Sequence, residues 1–245
     1  MSGSDLLERR SLTVSNFGYS AKQIDELEAS EYTLVTLATD ESPSVADFKK
    51  EQEDCLKEII GACAKSPRAD NLLVRFLAFN SRLREVHGFK PLADCHANDY
   101  EDCLETGGMT ALYDASVNAI EALGDYGKDL VASDYDVNGI VIVITDGLNN
   151  NSTNTLNTVK EALGKVMKEE ALESLISILV GVNINDPVVE RELDDFHKEA
   201  GFTQFVKLDD ASAKTLAKLA KFVSQSISSQ SQALGTGQAS QPLTF

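Results

Sequence analysis

Three short segments of the chain combine carboxylates and hydroxyls in a spacing that could hold a metal ion. Asp40, Ser42 and Ser44 follow an apolar run in a DxSxS arrangement. Thr110 follows a Gly-Gly pair, and Asp146 comes directly after the most apolar run and before a glycine. All five side chains offer hard oxygen donors and none is an imidazole or thiolate, which suits Mg²⁺, Mn²⁺ or Ca²⁺ and argues against zinc. The residues predict a site for a hard divalent cation, with Mg²⁺ as the first choice.

The hydropathy pattern predicts elements that bring these residues together. Apolar runs alternate with segments of helical period, which is typical of an α/β fold around a doubly wound, mostly parallel sheet with helices on both faces. We expect six strands, at residues 32–38, 72–79, 83–87, 140–145, 175–182 and 202–206. The strand at residues 83–87 is expected to be a short antiparallel strand at the edge of the sheet. Ligands of such a sheet gather at the carboxyl ends of the strands, where the strand order reverses. The loops of Asp40, Thr110 and Asp146 meet that condition.

Composition divides the chain into a core and two ends. Residues 31–228 show neither a composition shift nor an internal repeat, which indicates one domain. Residues 1–30 have the character of a partly ordered arm. Residues 229–245 are rich in Ser, Gln, Gly and Thr and are too polar to bury themselves. We therefore expect an N-terminal arm, one α/β domain and a flexible polar C-terminal tail.

Charge and hydropathy exclude several classes of function. The 245 residues include 39 acidic and 22 basic side chains, for a net charge of -17, so the surface repels nucleic acid. The longest apolar run, residues 140–144, is far shorter than the ~20 residues of a membrane-spanning helix. Charged side chains at the N-terminus stand where a secretory signal has an apolar core. We expect a cytoplasmic protein that binds neither nucleic acid nor membrane.

Cysteines and histidines offer a weaker alternative for a metal site. The cysteines form two pairs of equal spacing, which matches no zinc knuckle. The first pair, Cys55 and Cys63, falls on the apolar face of a predicted helix and is expected to be buried as small hydrophobic residues. The second group has irregular spacing across a long loop: His87, Cys95, His96 and Cys103.

The metal-binding candidates resemble the metal-ion-dependent adhesion site of the von Willebrand factor type A family. The likeness covers about residues 32–227, with the DxSxS element at Asp40, Ser42 and Ser44, the isolated threonine at Thr110 and the second aspartate turn at Asp146. In that family the hydroxyls bind the metal directly, and the aspartates bind it directly or through water. The resemblance implies that one coordination position stays open for a carboxylate from another protein.

The DxSxS element alone is a weak signal. A solvated turn in which Ser42 or Ser44 caps the next helix would have the same sequence. Pro43 stands where the family usually has glycine, which would stiffen the loop but leaves all five ligand types in place. We favour the metal site because the five ligands occur in the order that the family has, each at the end of the expected element.

Two classes of function stay open. The resemblance implies a non-enzymatic adaptor, a protein-interaction module that binds an Asp or Glu of its partner through Mg²⁺. Cytoplasmic bacterial members of the family include partners of MoxR-type AAA-plus ATPases and members of stress and conflict systems, and no residue here selects between them. The alternative is a metal-assisted hydrolase of phosphate esters, although the sequence carries no catalytic signature and no histidine falls in the candidate loops.

Overall fold

The strands of the protein form one mixed sheet. A computed structural model describes residues 7–168, 172–238 and 241–245. In these ranges the strands are β1 (Glu8–Arg10), β2 (Tyr19–Ala21), β3 (Glu31–Asp40), β4 (Leu72–Phe79), β5 (Leu83–Pro91), β6 (Asp136–Thr145), β7 (Leu175–Gly181) and β8 (Gln204–Lys207). Their order across the sheet is β1-β2-β5-β4-β3-β6-β7-β8. Five neighbouring strands in this order are parallel to one another: β4, β3, β6, β7 and β8.

Helices cover both faces of this sheet. One face carries α1 (Lys49–Cys63) and α5 (Ala213–Thr236), and the other carries α2 (Leu112–Ala132), α3 (Leu156–Lys168) and α4 (Pro187–Ala200). Successive residues of β3 and β6 pack alternately into the two cores, so both strands are buried on both faces along almost their whole length. None of the helices in the described ranges is apolar over a length that would cross a bilayer. The predicted α/β class is confirmed.

The sheet has eight strands in the described ranges instead of the predicted six. β1 and β2 pair antiparallel with each other, and β2 pairs with β5 at Ala21 and Phe89. β5 is antiparallel to β4 as expected, but it lies inside the sheet rather than at its edge. The strand number and the edge position were wrong because strands of three residues are too short to show a hydropathy period.

The N-terminal segment is packed on α2. The carboxylate of Glu121 accepts hydrogen bonds from the backbone N–H groups of Val14 (3.1 Å) and Ser15 (2.8 Å). The side-chain amide of Asn118 donates to the Ser15 hydroxyl at 3.0 Å. Where it is described, the expected arm is therefore joined to the α/β domain both by sheet pairing and by buried hydrogen bonds.

The strand order reverses between β3 and β6. From β3 the chain passes through α1 to β4 on one side, and after β5 and α2 it returns to β6 on the other side. β3 and β6 are parallel, with Thr39 opposite Ile144. Asp40 and Thr145 therefore lie side by side where the two strands end, in the position where an open α/β sheet usually binds its ligands.

The expected tail is partly helical. α5 continues to Thr236, across the predicted boundary at residue 228, and it buries Gln230, Ser231 and Leu234. The Gln230 amide nitrogen donates to the backbone carbonyl of Gly139 (3.1 Å) and to the Ser174 hydroxyl (2.9 Å). The low apolar content of residues 229–245 predicted a flexible tail. The part of α5 after residue 228 is instead held to the core by hydrogen bonds and close packing. Residues 239–240 lie outside the described ranges.

Gln230→Ala should destabilise the protein, because it removes both hydrogen bonds from a buried position. The expected loss is about 1–3 kcal/mol in the free energy of unfolding, measured by urea denaturation. Gln232 lies on the same helix but is exposed, so Gln232→Ala should change that free energy by less than about 0.5 kcal/mol. Equal stabilities of the two variants would show that this part of α5 does not support the core.

Candidate metal centre

Asp40 lies at the centre of the candidate site and is fully buried. Its Oδ2 accepts a hydrogen bond from the Thr145 hydroxyl at 2.7 Å, and its Oδ1 accepts one from the backbone N–H of Ser42 at 2.8 Å. Burial raises the pKa of Asp40 to about 6; the hydrogen bond from Thr145 opposes this rise and the nearby Asp146 carboxylate adds to it. The carboxylate is therefore ionised at neutral pH, although it lies in an environment that disfavours its charge.

The two serines face each other instead of capping a helix. Pro43 opens the 3-10 helix Pro43–Phe48, and Ser42 is its N-cap, but the Ser42 side chain makes no capping bond. The Ser42 hydroxyl instead lies 3.1 Å from the Ser44 hydroxyl. Proline fits the first helical position because its fixed φ suits the turn and its missing N–H has no partner there. The geometry at Ser42 is thus not that of the capped turn.

Asp146 is half-buried and lies close to the serine pair. Burial raises the pKa of Asp146, and the nearby hydroxyls of Ser44 and Ser42 oppose the rise. Its Oδ1 is buried and has no hydrogen-bond partner among the described residues. An unpartnered buried carboxylate oxygen is unfavourable, so a cation bound to this oxygen would stabilise the arrangement.

Thr110 joins the site through the loop that follows β6. Its backbone N–H donates to the Asn150 side-chain oxygen at 2.8 Å, and its carbonyl accepts from the N–H groups of Asn150 (3.0 Å) and Asn151 (3.2 Å). Gly108 has a φ of 75°, which favours glycine, and a Cβ there would come within 2.7 Å of the Ser81 hydroxyl. The glycine turn therefore allows the close approach that places Thr110 before α2.

The structure brings the sequence-predicted residues to one end of the sheet. Hydrogen bonds or electrostatic contact link Asp40, Ser42, Ser44 and Asp146. Thr110 is attached by its backbone to the loop after Asp146. Ser44 is exposed while Asp40, Ser42 and Thr110 are buried. The cluster is therefore reached from solvent on the Ser44 side.

Three supporting residues are not among the ligands predicted from the sequence. Thr145 donates to the Asp40 carboxylate, Gln52 on α1 donates to the Asp40 carbonyl at 3.1 Å, and Asn150 holds Thr110. The position of Thr145 at the end of a strand parallel to β3 could have identified it. Gln52 and Asn150 act across long sequence separations, and a single sequence gives no signal for such pairs.

The alternative group of cysteines and histidines is engaged in other contacts. Both ring nitrogens of His87 form hydrogen bonds, to the Gly88 carbonyl (3.0 Å) and the Tyr100 hydroxyl (2.7 Å). The Cys95 thiol contacts the Pro91 carbonyl, and all four cysteines are free and buried. In the described ranges, no three or more His, Cys, Asp or Glu side chains form a group that could hold a metal. The DxSxS cluster differs from such a group, because it combines two carboxylates with hydroxyls.

The residues present fit a hard divalent cation. Two carboxylates share a partly buried space, and one of their oxygens lacks a donor. Neutral hydroxyls of serine stand next to them without serving as helix caps. Clustered oxygen donors with excess negative charge are what Mg²⁺ and related ions require. The donor set and the unpartnered oxygen both support the predicted ligands.

Comparison with known proteins shows likeness at the level of fold. No known family profile and no curated protein matches the sequence. The PilB minor pilin from Streptococcus sanguinis has a TM-score of 0.60 at 14% identity, over 89% of this chain and 66% of the pilin. Proximal thread matrix protein 1 from the mussel byssus, solved with a zinc-occupied MIDAS motif, has a TM-score of 0.56 at 17% identity, over 81% and 46% of the two chains. An aerotolerance-related membrane protein from Bacteroides fragilis has a TM-score of 0.51 at 14% identity, over 80% and 98%.

These likenesses, at 14–17% identity, show that the chain shares its α/β fold with a pilin, a byssus protein and a bacterial membrane protein. MIDAS denotes the metal-ion-dependent adhesion site, which the DxSxS cluster resembles, and in the byssus protein that motif holds zinc. The chain spans 66% of the pilin and 46% of the byssus protein, so the activities of those whole proteins are not carried over. The ligands and the metal of this chain stay predictions.

The Mg²⁺ effect on stability should depend on pH through Asp40. Without metal, its folded-state pKa of about 6 lies above the value in the unfolded chain, so its stabilising contribution is complete at low pH and is lost as the pH rises through about 6. Metal binding needs the ionised carboxylate, so Mg²⁺ should raise the melting temperature at about pH 8 and do so much less at about pH 5. Thermal melts at both pH values check this. An equal Mg²⁺ effect at the two would contradict it.

Proposed function

We propose that this protein is a metal-dependent protein-interaction module. Asp40, Ser42, Ser44, Thr110 and Asp146 would hold the ion, and a carboxylate from a partner protein would complete its coordination. The observation that carries the proposal is the unpartnered, buried Oδ1 of Asp146 next to a pair of serine hydroxyls that do not cap a helix. A von Willebrand factor A-like fold supports an interaction role at a coarse level.

The charge of the protein explains why an ion is needed. With a net charge of -17, the surface repels an acidic partner at long range. Asp40 and Asp146 add negative charge at the centre itself. When bound, the metal supplies a coordination bond to the partner's Asp or Glu, which offsets this repulsion. The acidic surface then disfavours binding of other acidic proteins that cannot reach the site.

Mg²⁺ is the proposed ion, with Mn²⁺ and Ca²⁺ as alternatives that share its preference for oxygen ligands. The zinc in the byssus protein's motif shows that such a motif accepts a softer ion in that protein. Titrations of this chain should therefore include Zn²⁺. The proposed AAA-plus ATPase partner rests on the sequence resemblance alone, and the proposed cytoplasmic location rests on charge and hydropathy. Pull-downs with and without EDTA would identify metal-dependent partners.

A phosphate-ester hydrolase is the other class of function for the same site. It would need a general base near the metal, and the histidines lie elsewhere: His87 on β5, His96 before a 3-10 turn and His197 on α4. We therefore propose a non-enzymatic role. Turnover of a generic phosphate ester by the purified protein with Mg²⁺, Mn²⁺ or Zn²⁺ would overturn it.

Mg²⁺ should stabilise the protein through Asp146. An ion that binds only the folded state adds about 2.7 kcal/mol at a hundredfold excess over its Kd, a rise of about 5–10 °C in melting temperature for a domain of this size. Asp146→Asn should abolish this rise. Asp136 is exposed at the start of β6, the strand that Asp146 directly follows. Asp136→Asn should therefore keep the Mg²⁺-dependent rise in melting temperature. A full Mg²⁺ response in Asp146→Asn would exclude Asp146 as a ligand.

Partner binding should depend on the hydroxyl of Thr110. Thr110→Ala removes one neutral ligand and should weaken a captured partner about 10-fold or more, while Thr110→Ser should retain most of the affinity. Neither change should lower stability in EDTA by more than about 1 kcal/mol. Surface plasmon resonance in Mg²⁺ and in EDTA measures the affinity. Equal affinity in both buffers and for both variants would place the interface on another face.

A further inference from the structure

The segment that carries Thr110 towards the metal centre has no regular structure of its own. Residues 101–111 form neither helix nor strand, so their backbone N–H groups need partners from other elements. Glu53 on α1, for example, accepts a hydrogen bond from the N–H of Leu104 at 3.0 Å. The position of this segment therefore depends on long-range bonds, not on local geometry.

Glu41 supplies two of these bonds. Its Oε2 accepts from the N–H of Glu105 at 2.7 Å, and its backbone carbonyl accepts from the N–H of Gly107 at 2.9 Å. Glu41 directly follows Asp40 in the chain. Asp40 is thus a proposed metal ligand, and the next residue, Glu41, holds the segment that carries Thr110.

Arg84 on β5 holds the Glu41 carboxylate. Its Nη2 lies 2.5 Å from Oε2 of Glu41 and 2.6 Å from the Cys103 carbonyl, and its Nε lies 3.4 Å from Oε1 of Glu41. The Glu41 side chain is 2% exposed and that of Arg84 is 31% exposed. A carboxylate this deeply buried depends on its cation, because without one it is left charged in a poorly solvated place.

We propose that the Glu41–Arg84 ion pair is a positioning device for the metal centre. It joins the DxSxS loop to the segment carrying Thr110, so it sets the distance between the hydroxyl ligands of the two loops. This inference rests on the proposed function, since it concerns affinity for the same ion. Neither residue belongs to the proposed ligand set. Removing the pair loosens one loop relative to the other, and coordination requires both.

The test compares two arginine–glutamate pairs at opposite ends of β3. Arg68 lies 2.6 Å from Glu31 at the start of the strand, and each of these side chains is 21% exposed. Arg84→Met should raise the Kd for Mg²⁺ about 10- to 100-fold, the usual effect of losing a residue that supports metal ligands. Arg68→Met should leave that Kd within about twofold of the wild type. Isothermal titration with Mg²⁺ gives the Kd, and melting in EDTA gives the stability of each variant.

Arg84→Lys distinguishes positioning from a general loss of stability. It keeps the charge but loses the two-pronged contact, so its Kd should lie between those of the wild type and Arg84→Met. It also serves as the test variant if Arg84→Met does not fold. If wild-type protein binds Mg²⁺ and the Arg84 variants bind it as tightly as Arg68→Met does, the positioning role is overturned and the metal site stands. If wild-type protein binds no Mg²⁺, both the proposed function and this inference fail.

Discussion

The burial of the Asp40 carboxylate constrains the whole carboxyl end of the sheet. A charged group without solvent needs partners inside the protein. The Thr145 hydroxyl and the Ser42 backbone N–H supply them, so β6 has to end beside β3, and the loop after Asp40 has to turn back onto its side chain. Burial nevertheless holds the pKa of Asp40 at about 6. The fold thus maintains a carboxylate that a nearby cation would stabilise.

The neighbouring loops are held together in the same way. The loop after β6 binds the backbone of Thr110 through Asn150, and Glu41 binds the segment before it. Each loop is irregular, so its shape is set by contacts with the other loops and not by repeating backbone bonds. A site of this kind is assembled from distant parts of the chain, and its metal affinity should respond to residues that never touch the ion.

Much of the fold could be predicted from the sequence, and so could the location of the candidate ligands at one end of the sheet, because both leave local signals. Long apolar runs show the central strands, and the polar residues that end them show where Asp40 and Asp146 lie. β1 and β2 gave no signal, since three residues cannot show a period. The end of α5 was missed because Gln230 is buried by hydrogen bonds. The Glu41–Arg84 pair was missed because it joins residues on different elements.

We propose that one divalent cation is held jointly by Asp40, Ser42, Ser44, Thr110 and Asp146. Crystals grown with Mn²⁺ test it most directly, because anomalous scattering locates this ion independently of the protein atoms. One strong anomalous peak is expected between the DxSxS loop, Thr110 and Asp146, at a distance from their oxygens typical of coordination. A structure at saturating Mn²⁺ without a peak at that position, or with one only elsewhere, would contradict it.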